Sequence, residues 1–187
     1  MPLKLNLGCG HHKLPGYLNV DSQAQCSPDQ VVDLEQFPWP WPDQSVEEIR
    51  LSHVLEHLGA TTEKYFGVMR ELYRVCAPNA LIHIAVPHPR SDSYIADPTH
   101  VRPITTVGLS MFDQELNRQW IAEDSSTTPL GIYLGINFKI DNTEVDILEP
   151  WYSKFINNQI NEDELRTAIQ SYWNVIGETR IVLRAVK

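Results

Sequence analysis

Two glycines and an acid near the start of the chain have the spacing of a nucleotide-binding site. Residues 5–21 read LNLGCGHHKLPGYLNVD, so one apolar stretch ends at Gly8 and Gly10 and a second one ends at Asp21. Glycine lets the backbone turn sharply and lets a ligand approach it, because it has no Cβ atom. A strand that ends in glycines, followed by a strand that ends in Asp, is the general plan of a nucleotide site in an α/β sheet. The segment therefore predicts such a site.

A second group of reactive side chains lies in the middle of the chain. Residues 87–92 read PHPRSD and residues 97–103 read DPTHVRP, which places acids, imidazoles and guanidinium groups close together in sequence. Histidine exchanges protons near neutral pH, and arginine binds anionic groups through a planar fork of donors. Both segments follow a predicted strand, and ligands collect beyond the carboxyl ends of strands in open α/β sheets. The two segments therefore predict chemistry on a bound substrate.

The pattern of apolar residues predicts the strands that position these groups. Leu3, Leu5 and Leu7 alternate with polar residues, which indicates a first strand with one buried face. The link from there to Asp21 contains Pro15 and Gly16 and is too short for a crossover helix. The further strands that we expect in the first half of the chain are 17–21, 30–34 (ending at Asp33), 46–51 and 80–86.

One long helix and one loop are expected between these strands. Thr61 is a suitable N-cap, and the buried stripe of the helix that follows is Tyr65, Met69, Leu72 and Cys76, with Pro78-Asn79 ending it. Residues 37–43 read FPWPWPD and cannot be helical, because proline removes donors and fixes φ. We expect a stiff, extended surface loop there, with Trp39 and Trp41 as cover rather than as an aromatic substrate platform.

The last third of the chain is less regular. Alternation in 136–140 and 145–148 predicts a hairpin around Asp141-Asn142. Asn161 and Glu164 have the spacing of a capping box, before a helix with Leu165, Ala168, Ile169, Tyr172 and Trp173 on one face, and 180–186 is the expected closing strand. The helical segment at about 149–175 is interpreted as an insertion that covers the sheet, with a lid or an interface as the alternatives.

Size and composition limit the class of protein. The chain has 187 residues, is 42% hydrophobic and carries a formal charge of −9, which favours one globular domain over residues 1–187 and argues against a broad phosphate-binding face. No stretch predicts a membrane span, and the first residues lack the pattern of a signal peptide, so a cytoplasmic location is expected. The three widely spaced cysteines, Cys9, Cys26 and Cys76, indicate reduced thiols.

The motifs together resemble those of a known family. A nicotinamide site prefers a third glycine where Lys13 stands, and a Walker phosphate loop is absent from the sequence. What remains, in order, is LNLGCG, Asp21, VDL at 32–34, LSHVLEHL at 51–58 and RELYRVCAPN at 70–79. With these five motifs, residues 3–112 and the closing strand resemble the class I S-adenosylmethionine-dependent methyltransferases, in a compact bacterial-type branch. The resemblance implies an α/β, Rossmann-like, mostly parallel sheet with helices on both faces, an antiparallel closing strand and a shortened first crossover.

The resemblance also implies which residues bind the cofactor. Gly8 and Gly10 would lie against its methionine part, and Asp21 would accept hydrogen bonds from the ribose hydroxyls. Asp33 would accept from the adenine amino group, although an Asp before a proline-rich loop also caps turns. Glu56 and His57 are expected to anchor the loop after the fourth strand. The other predicted cofactor contacts are Asn6, Cys9, Leu34, Ser52 and His53.

On the acceptor side, the resemblance makes residues 87–103 the candidate transfer site. His100 is the predicted general base with Asp97 orienting it, His53 is a further candidate catalytic residue, and His88, Arg90 and Arg102 are predicted substrate contacts. The alternative is that Asp97 and Arg102 hold the loop and His100 packs. A metal site from His88, Asp92, Asp97 and His100 matches no common ligand spacing, so no metal is expected.

The predicted function is transfer of a methyl group from S-adenosylmethionine to oxygen or nitrogen of a small molecule, with a saccharide or a lipid-linked metabolite as candidate acceptors. The acidic charge, and LSHV where a base-methylating enzyme has Asn/Asp-Pro-Pro-Tyr, disfavour nucleic acid. The alternative from another class is a non-catalytic cofactor-binding or interaction protein that uses the helices at 149–175, which are also a candidate homo-oligomer contact. A nicotinamide-dependent oxidoreductase is less favoured.

Overall fold

The computed structural model describes residues 3–187, so residues 1 and 2 of the expected domain lie outside the described range. It contains one seven-stranded sheet in the order β3-β2-β1-β4-β5-β7-β6. All neighbouring strands from β3 to β5 pair in parallel, and β7 is antiparallel to both β5 and β6. The mostly parallel sheet with an antiparallel closing strand is therefore confirmed. The strands are β1 (Leu3–Leu7), β2 (Leu18–Asp21), β3 (Gln30–Val31), β4 (Val46–Ser52), β5 (Cys76–Pro87), β6 (Phe138–Ile147) and β7 (Ile176–Ala185).

Among the helices of the described chain, one long helix packs on the apolar face of this sheet. The longest, α1, begins after Thr61, whose hydroxyl accepts the Lys64 N–H at 3.3 Å as predicted, and its residues Val68, Met69 and Leu72 are completely buried in the main core. The helix ends at Val75, before the predicted stop, because the chain enters β5 at once. The other helices are α2 (Asp92–Ile95), α3 (Thr106–Ser110), α4 (Gln114–Ala122), α5 (Leu130–Leu134), α6 (Trp151–Ile156) and α7 (Glu162–Ser171).

The opposite face of the sheet carries polar side chains in its middle. Lys4 pairs with Glu48 at 3.0 Å, and Arg50 donates to the Tyr17 hydroxyl at 3.0 Å, while His83 lies beside them and is half-buried. The described chain between β1 and β2 contains no helix, so the predicted short first crossover is confirmed and no crossover helix covers these strands. Charged pairs and the Tyr17 ring take the place of an apolar layer here.

Three local predictions need correction. The expected hairpin at 136–148 is wrong, because β6 is one strand that pairs with β7 along its whole length. The strand predicted at 30–34 is only the two residues of β3, so Asp33 follows it in a turn. The predicted capping box of α7 is present, but Tyr172 and Trp173 follow the helix and are 56% and 52% exposed.

The helices α6 and α7 form a separate small core. Leu165, Ala168 and Val175 are its buried residues, and Trp151 stacks on Tyr172 with ring centroids 5.5 Å apart. Within residues 3–187, no helix combines the length and apolar character that a membrane span requires.

The loop at 37–43 contributes to the main core. Trp39 and Trp41 are 3% and 5% exposed, so they are core residues and not surface cover. The Arg74 guanidinium holds the loop, because it donates to the carbonyls of both tryptophans at 3.1 and 3.0 Å and to the Glu71 carboxylate at 2.7 Å. Burial raises the pKa of Glu71, but the hydrogen bonds from Arg74 and from the Trp39 N–H outweigh it, and the net pKa lies below the usual value.

Replacement of Arg74 by alanine is expected to destabilise the fold. Arg74→Ala leaves the buried Glu71 carboxylate with the Trp39 N–H but without its cation, and removes the Arg74 hydrogen bonds to two carbonyls, which costs about 2–4 kcal/mol of the free energy of unfolding. Arg70→Ala is the matched control, because Arg70 is exposed on the same helix. Urea unfolding of both variants measures the difference, and equal stabilities would contradict the role of Arg74.

Candidate functional site

The segment after β1 forms a bare backbone loop at the carboxyl edge of the sheet. Because parallel strands end at the same edge, the loop lies beside the end of β2. The Cys9 N–H donates to the Val20 carbonyl at 2.9 Å, and the Gly10 N–H donates to Asp21 Oδ2 at 2.8 Å. Asp21, the last residue of β2, therefore holds the glycine loop against β2.

Gly8 cannot be replaced without strain, for two separate reasons. Its φ of +63° lies in the left-handed region that other residues avoid, and a Cβ atom there would lie within 2.9 Å of Val54 Cγ1 and closer still to Cγ2. Gly10 also has a positive φ, of +50°, but a Cβ would meet nothing within 4 Å. Val54 thus packs directly on the glycine loop from the segment that follows β4.

A small cavity next to this loop brings together five of the predicted cofactor residues. Its volume is about 230 Å³. Asp21 already accepts the Gly10 and Gln23 N–H groups, each at 2.8 Å, but each carboxylate oxygen keeps a further lone pair. Asp33 Oδ1 accepts the Glu35 N–H at 2.9 Å, so it caps a turn as the alternative interpretation states, while its other oxygen is left for a ligand. The five are Gly8, Asp21, Asp33, Leu34 and His53.

The remaining predicted cofactor residues lie on the other side of the glycine loop. Asn6 donates to Asn19 Oδ1 at 2.9 Å and to the His12 carbonyl at 3.0 Å, so its amide supports the loop from within the structure. Cys9 is 4% exposed, and burial raises the pKa of its thiol. These residues, with Gly10 and Ser52, line a cleft of about 1000 Å³ that runs along the polar face of the sheet and is called the polar-face cleft below.

A third cavity adjoins the small one and has a volume of about 590 Å³. His53 and His57 line both, so the two cavities meet at these imidazoles. His53 has a φ of +54°, and its Nε2 lies 2.8 Å from Glu178 Oε2. Sequence reasoning missed Glu178, because only the pairing of β7 with β5 brings it to this edge.

Glu56 lies under this cavity and is completely buried, with no hydrogen-bond partner for either carboxylate oxygen. His53 Nδ1 is 3.5 Å and His100 Nε2 is 4.0 Å from its Oε1. Burial raises the pKa of the Glu56 carboxyl, against the opposing effect of the three surrounding imidazoles. Its main-chain carbonyl accepts the N–H groups of Val101 and Arg102 at 2.9 and 3.2 Å, so Glu56 anchors the 97–103 loop through its backbone.

The pairing of Asp97 with His100 differs from the prediction. His100 is 8% exposed, and its Nδ1 donates to the Tyr94 carbonyl at 2.7 Å. Asp97 Oδ2 is 3.8 Å from His100 Nε2, beyond hydrogen-bond distance, whereas its Oδ1 accepts both the N–H and the hydroxyl of Thr99. These two hydrogen bonds lower the pKa of Asp97. The Thr99 hydroxyl lies 2.9 Å from His57 Nδ1, so Asp97 orients His57 rather than His100.

The structure places His88, Arg90 and Arg102, the predicted substrate contacts, against structural partners, and their side chains line none of these three cavities. Arg90 donates to the Ile169 and Gln170 carbonyls and so caps the end of α7. Arg102 donates twice to the Gly59 carbonyl, and its guanidinium lies 4.4 Å from the centre of the Tyr65 ring. His88 Nδ1 accepts the Arg90 N–H at 3.2 Å, and burial lowers its pKa.

Comparison with known proteins identifies the fold. No family model matches the sequence, and no curated protein sequence does either. A solved S-adenosylmethionine-dependent methyltransferase from Archaeoglobus fulgidus matches with a TM-score of 0.63 and 20% identity, over 97% of this chain and 85% of that one. A phosphoethanolamine N-methyltransferase from Haemonchus contortus, solved in complex with S-adenosyl-L-methionine, matches with a TM-score of 0.53 and 12% identity, over 100% of this chain and 50% of that one.

The same fold also carries another reaction. The cyclase SpnF matches with a TM-score of 0.53 and 16% identity, over 98% of this chain and 75% of that one. The chain thus has the Rossmann-like fold of the class I S-adenosylmethionine-dependent methyltransferases. The reaction has to be argued from the residues of the site.

The contact between Gly8 and Val54 generates a prediction about stability. Gly8→Ala combines a strained φ with a clash and should lower the free energy of unfolding by about 2–4 kcal/mol. Gly16→Ala is the matched control, because Gly16 has a φ of +82° but open space around it, and it should cost only about 1 kcal/mol.

A double variant separates the two causes in this prediction. Val54→Ala removes the atoms that the new Cβ would meet, so Gly8→Ala should cost less in that background than in the natural chain. Thermal and urea unfolding measure the stability of the natural chain, of Gly8→Ala, of Val54→Ala and of the double variant. Equal costs for Gly8→Ala in both backgrounds would contradict the packing role of Val54.

Proposed function

We propose that the chain binds S-adenosylmethionine at the glycine loop and transfers its methyl group to a small molecule in the adjoining cavity. One observation carries this proposal: the cavity at Gly8, Asp21 and Asp33 meets the 590 Å³ cavity at His53 and His57. A group transfer needs a donor and an acceptor held side by side. The solved structures with this fold support the choice of donor, since one is an S-adenosylmethionine-dependent methyltransferase and another was solved in complex with S-adenosyl-L-methionine.

The small cavity, together with the glycine loop beside it, offers partners to each part of such a cofactor. The bare backbone of Gly8 and Gly10 accommodates the methionine part, the free lone pairs of Asp21 accept from the ribose hydroxyls, and the free oxygen of Asp33 accepts from the adenine amino group. Its 230 Å³ is less than the roughly 300–1,000 Å³ of ordinary ligand pockets. The cofactor therefore extends beyond the small cavity, and its sulfonium, which joins the methionine part to the ribose, would lie near His53 with the methyl group directed toward the 590 Å³ cavity.

The 590 Å³ cavity, called the acceptor cavity below, would hold the methyl acceptor. Its lining includes the carboxylates of Asp92, Asp97, Asp146 and Glu178, which disfavours an anionic acceptor and favours a neutral polar or cationic one. A saccharide hydroxyl or an amine, free or on a lipid-linked metabolite, has this character. His53 is the best placed base, because Glu178 accepts from its Nε2 and leaves Nδ1 to take a proton from the acceptor. His100 also lines this cavity but is 8% exposed, against 52% for His53, which makes His53 the more accessible base.

A second candidate is a cofactor-binding protein that does not transfer methyl groups. The match to SpnF favours this candidate, because that protein has this fold and is a cyclase. The exposed Tyr152, Ile156, Tyr172 and Trp173 around α6 and α7 would then be the contact surface for a partner or a second copy of the chain.

The first test is binding of the cofactor. Calorimetry should detect S-adenosylmethionine and S-adenosylhomocysteine in one site, and Asp21→Ala should weaken both by about ten- to a hundredfold, since hydrogen bonds to a charged group contribute about 1.5–3 kcal/mol. Asp163→Ala, at an exposed carboxylate in the first turn of α7, is the control. Binding of a nicotinamide cofactor instead would replace the methyltransferase proposal with the oxidoreductase alternative.

The second test is methyl transfer itself. Methyl-labelled S-adenosylmethionine is incubated with the protein and a small-molecule extract, and the initial rate of label incorporation is measured. His53→Gln should lower this rate by about a hundredfold or more, and Glu178→Gln should lower it less, because it removes only the group that orients the base. Cofactor affinity should change little in Glu178→Gln, because Glu178 does not line the small cavity.

The control for this test is Glu144→Gln, at an exposed carboxylate of β6 that lines the polar-face cleft and not the acceptor cavity. An unchanged rate in His53→Gln would remove His53 as the base. Cofactor binding with no transfer by the natural chain would favour the non-catalytic candidate, and preferential labelling of RNA or DNA would overturn the small-molecule acceptor.

A further inference from the structure

The Glu56 carboxylate is the one buried side-chain group, among residues 3–187, whose oxygens both lack a hydrogen-bond partner. Buried polar atoms in proteins nearly always have a partner, and an exception indicates a strained site or a bound ion that satisfies it. The Glu56 side chain is 0% exposed, so bulk solvent does not reach its oxygens. The groups that surround it are imidazoles: His53 Nδ1 lies 3.5 Å and His100 Nε2 4.0 Å from Glu56 Oε1, and Glu56, His57 and His100 each have a ligand atom within 4.8 Å of the other two.

The hydrogen bonds of both imidazoles determine which ring nitrogen carries a hydrogen. His100 Nδ1 faces the Tyr94 carbonyl, which can only accept, so Nδ1 donates. The Thr99 hydroxyl gives its own hydrogen to Asp97, so its oxygen accepts from His57 Nδ1. In both neutral rings the lone pair is therefore on Nε2. A histidine that binds a metal ion has this arrangement, with its other N–H donated to a carbonyl or a carboxylate-linked acceptor.

The positions of the three groups suit a common ion. One ligand atom from each of Glu56, His57 and His100 lies within 4.8 Å of the other two. Glu56 Oε1 and His100 Nε2 are 4.0 Å apart, and the two imidazole rings have centroids 4.7 Å apart at 61°. Ligands about 2.0–2.1 Å from a tetrahedral ion are roughly 3.4 Å from each other, so small side-chain rotations are enough to close the site.

We propose that Glu56, His57 and His100 bind a divalent transition-metal ion, with Zn²⁺ as the best match. Two neutral imidazoles and one carboxylate, with one coordination position left open, form a ligand set of catalytic zinc sites. Mg²⁺ and Ca²⁺ prefer oxygen ligands and fit this set poorly. The positive ion also satisfies the buried carboxylate. Among the described residues, this cluster is the one group of three such side chains close enough to hold an ion.

The open position of the ion would face the acceptor cavity, since His57 and His100 both line it. This part of the inference rests on the proposed function. An acceptor oxygen or nitrogen bound to the ion would be held beside His53, whose Nδ1 is 3.5 Å from Glu56 Oε1. Coordination lowers the pKa of a bound oxygen, so the ion would both position and activate the acceptor. Metal binding itself requires neither the cofactor nor the acceptor.

The experiment is titration of the chelator-treated, cofactor-free chain with ZnCl₂ in a calorimeter, with CoCl₂ absorption spectra as a second readout. We expect one equivalent to bind, with visible cobalt bands of low coordination number. His57→Ala and His100→Ala should weaken Zn²⁺ binding by more than about a hundredfold, because even loss of a residue that orients a ligand costs 10–100-fold. Thr99→Val, which removes the group that orients His57, should weaken it by about 10–100-fold.

Two further variants make the result specific. Glu56→Gln keeps the shape of the side chain without its charge and should also weaken Zn²⁺ binding strongly. His83→Ala is the control. His83 lies in β5, where its Nε2 is 3.5 Å from the Glu48 carboxylate, and it is not part of the Glu56, His57 and His100 cluster. The variant should leave the Zn²⁺ affinity unchanged. Thermal unfolding of each variant without metal verifies that it is folded.

The outcomes separate this inference from the proposed function. A chain that binds S-adenosylmethionine but no Zn²⁺ or Co²⁺, or whose Zn²⁺ affinity is the same in His57→Ala, His100→Ala, Glu56→Gln and His83→Ala, overturns the metal site and leaves the function in place. A chain that binds Zn²⁺ through these residues but not S-adenosylmethionine supports the metal site and overturns the function.

Discussion

The two hydrogen bonds that the Glu56 carbonyl accepts from Val101 and Arg102 hold the two halves of the site together. They join the turn after β4, which lines the small cavity, to the 97–103 loop, which lines the 590 Å³ cavity. Because the loop is fixed there, His100 meets His57 in an edge contact. Arg102 then reaches the Gly59 carbonyl and the face of Tyr65, which fastens the same loop to the start of α1.

The contact between the turn after β4 and the 97–103 loop joins residues that are far apart in the chain, and such long-range contacts explain which parts of the site the sequence predicts. Gly8, Gly10 and Asp21 are recognised because their roles depend on residues nearby in the chain, and strand ends set their positions. Arg90 and Arg102 appeared free to bind substrate because their partners are distant: the carbonyls of α7 for one, and Gly59 with Tyr65 for the other. Glu178 carries no local signal at all, since only the pairing of β7 with β5 places it beside His53.

The difference between local and long-range contacts also accounts for the outcome of the fold predictions. Alternation predicted two strands at 136–148, but pairing with β7 keeps the backbone extended through Asp141-Asn142, where the local sequence favours a turn. The short first crossover has a wider consequence. Parallel sheets are usually covered on both faces, and here Lys4, Glu48 and Arg50 form ion pairs on a face that no crossover helix covers, with Tyr17 between them. Polar pairing makes that face compatible with water and keeps the apolar core on the side of α1.

Among the buried polar side chains of residues 3–187, one near the site lacks hydrogen-bond partners, whereas others have them. Buried polar side chains such as Asn117, Asp113 and Glu71 all have hydrogen-bond partners, whereas Glu56 has none. Three residues earlier, His53 adopts a left-handed φ that positions its ring between Glu56 and Glu178. Strain of this kind persists only where the surrounding structure imposes it, and it concentrates at functional sites. An unpartnered carboxylate and a strained histidine next to each other, at the junction of two cavities, are more readily explained by a ligand than by folding, because a neutral apolar side chain in place of Glu56 would satisfy the fold without that cost.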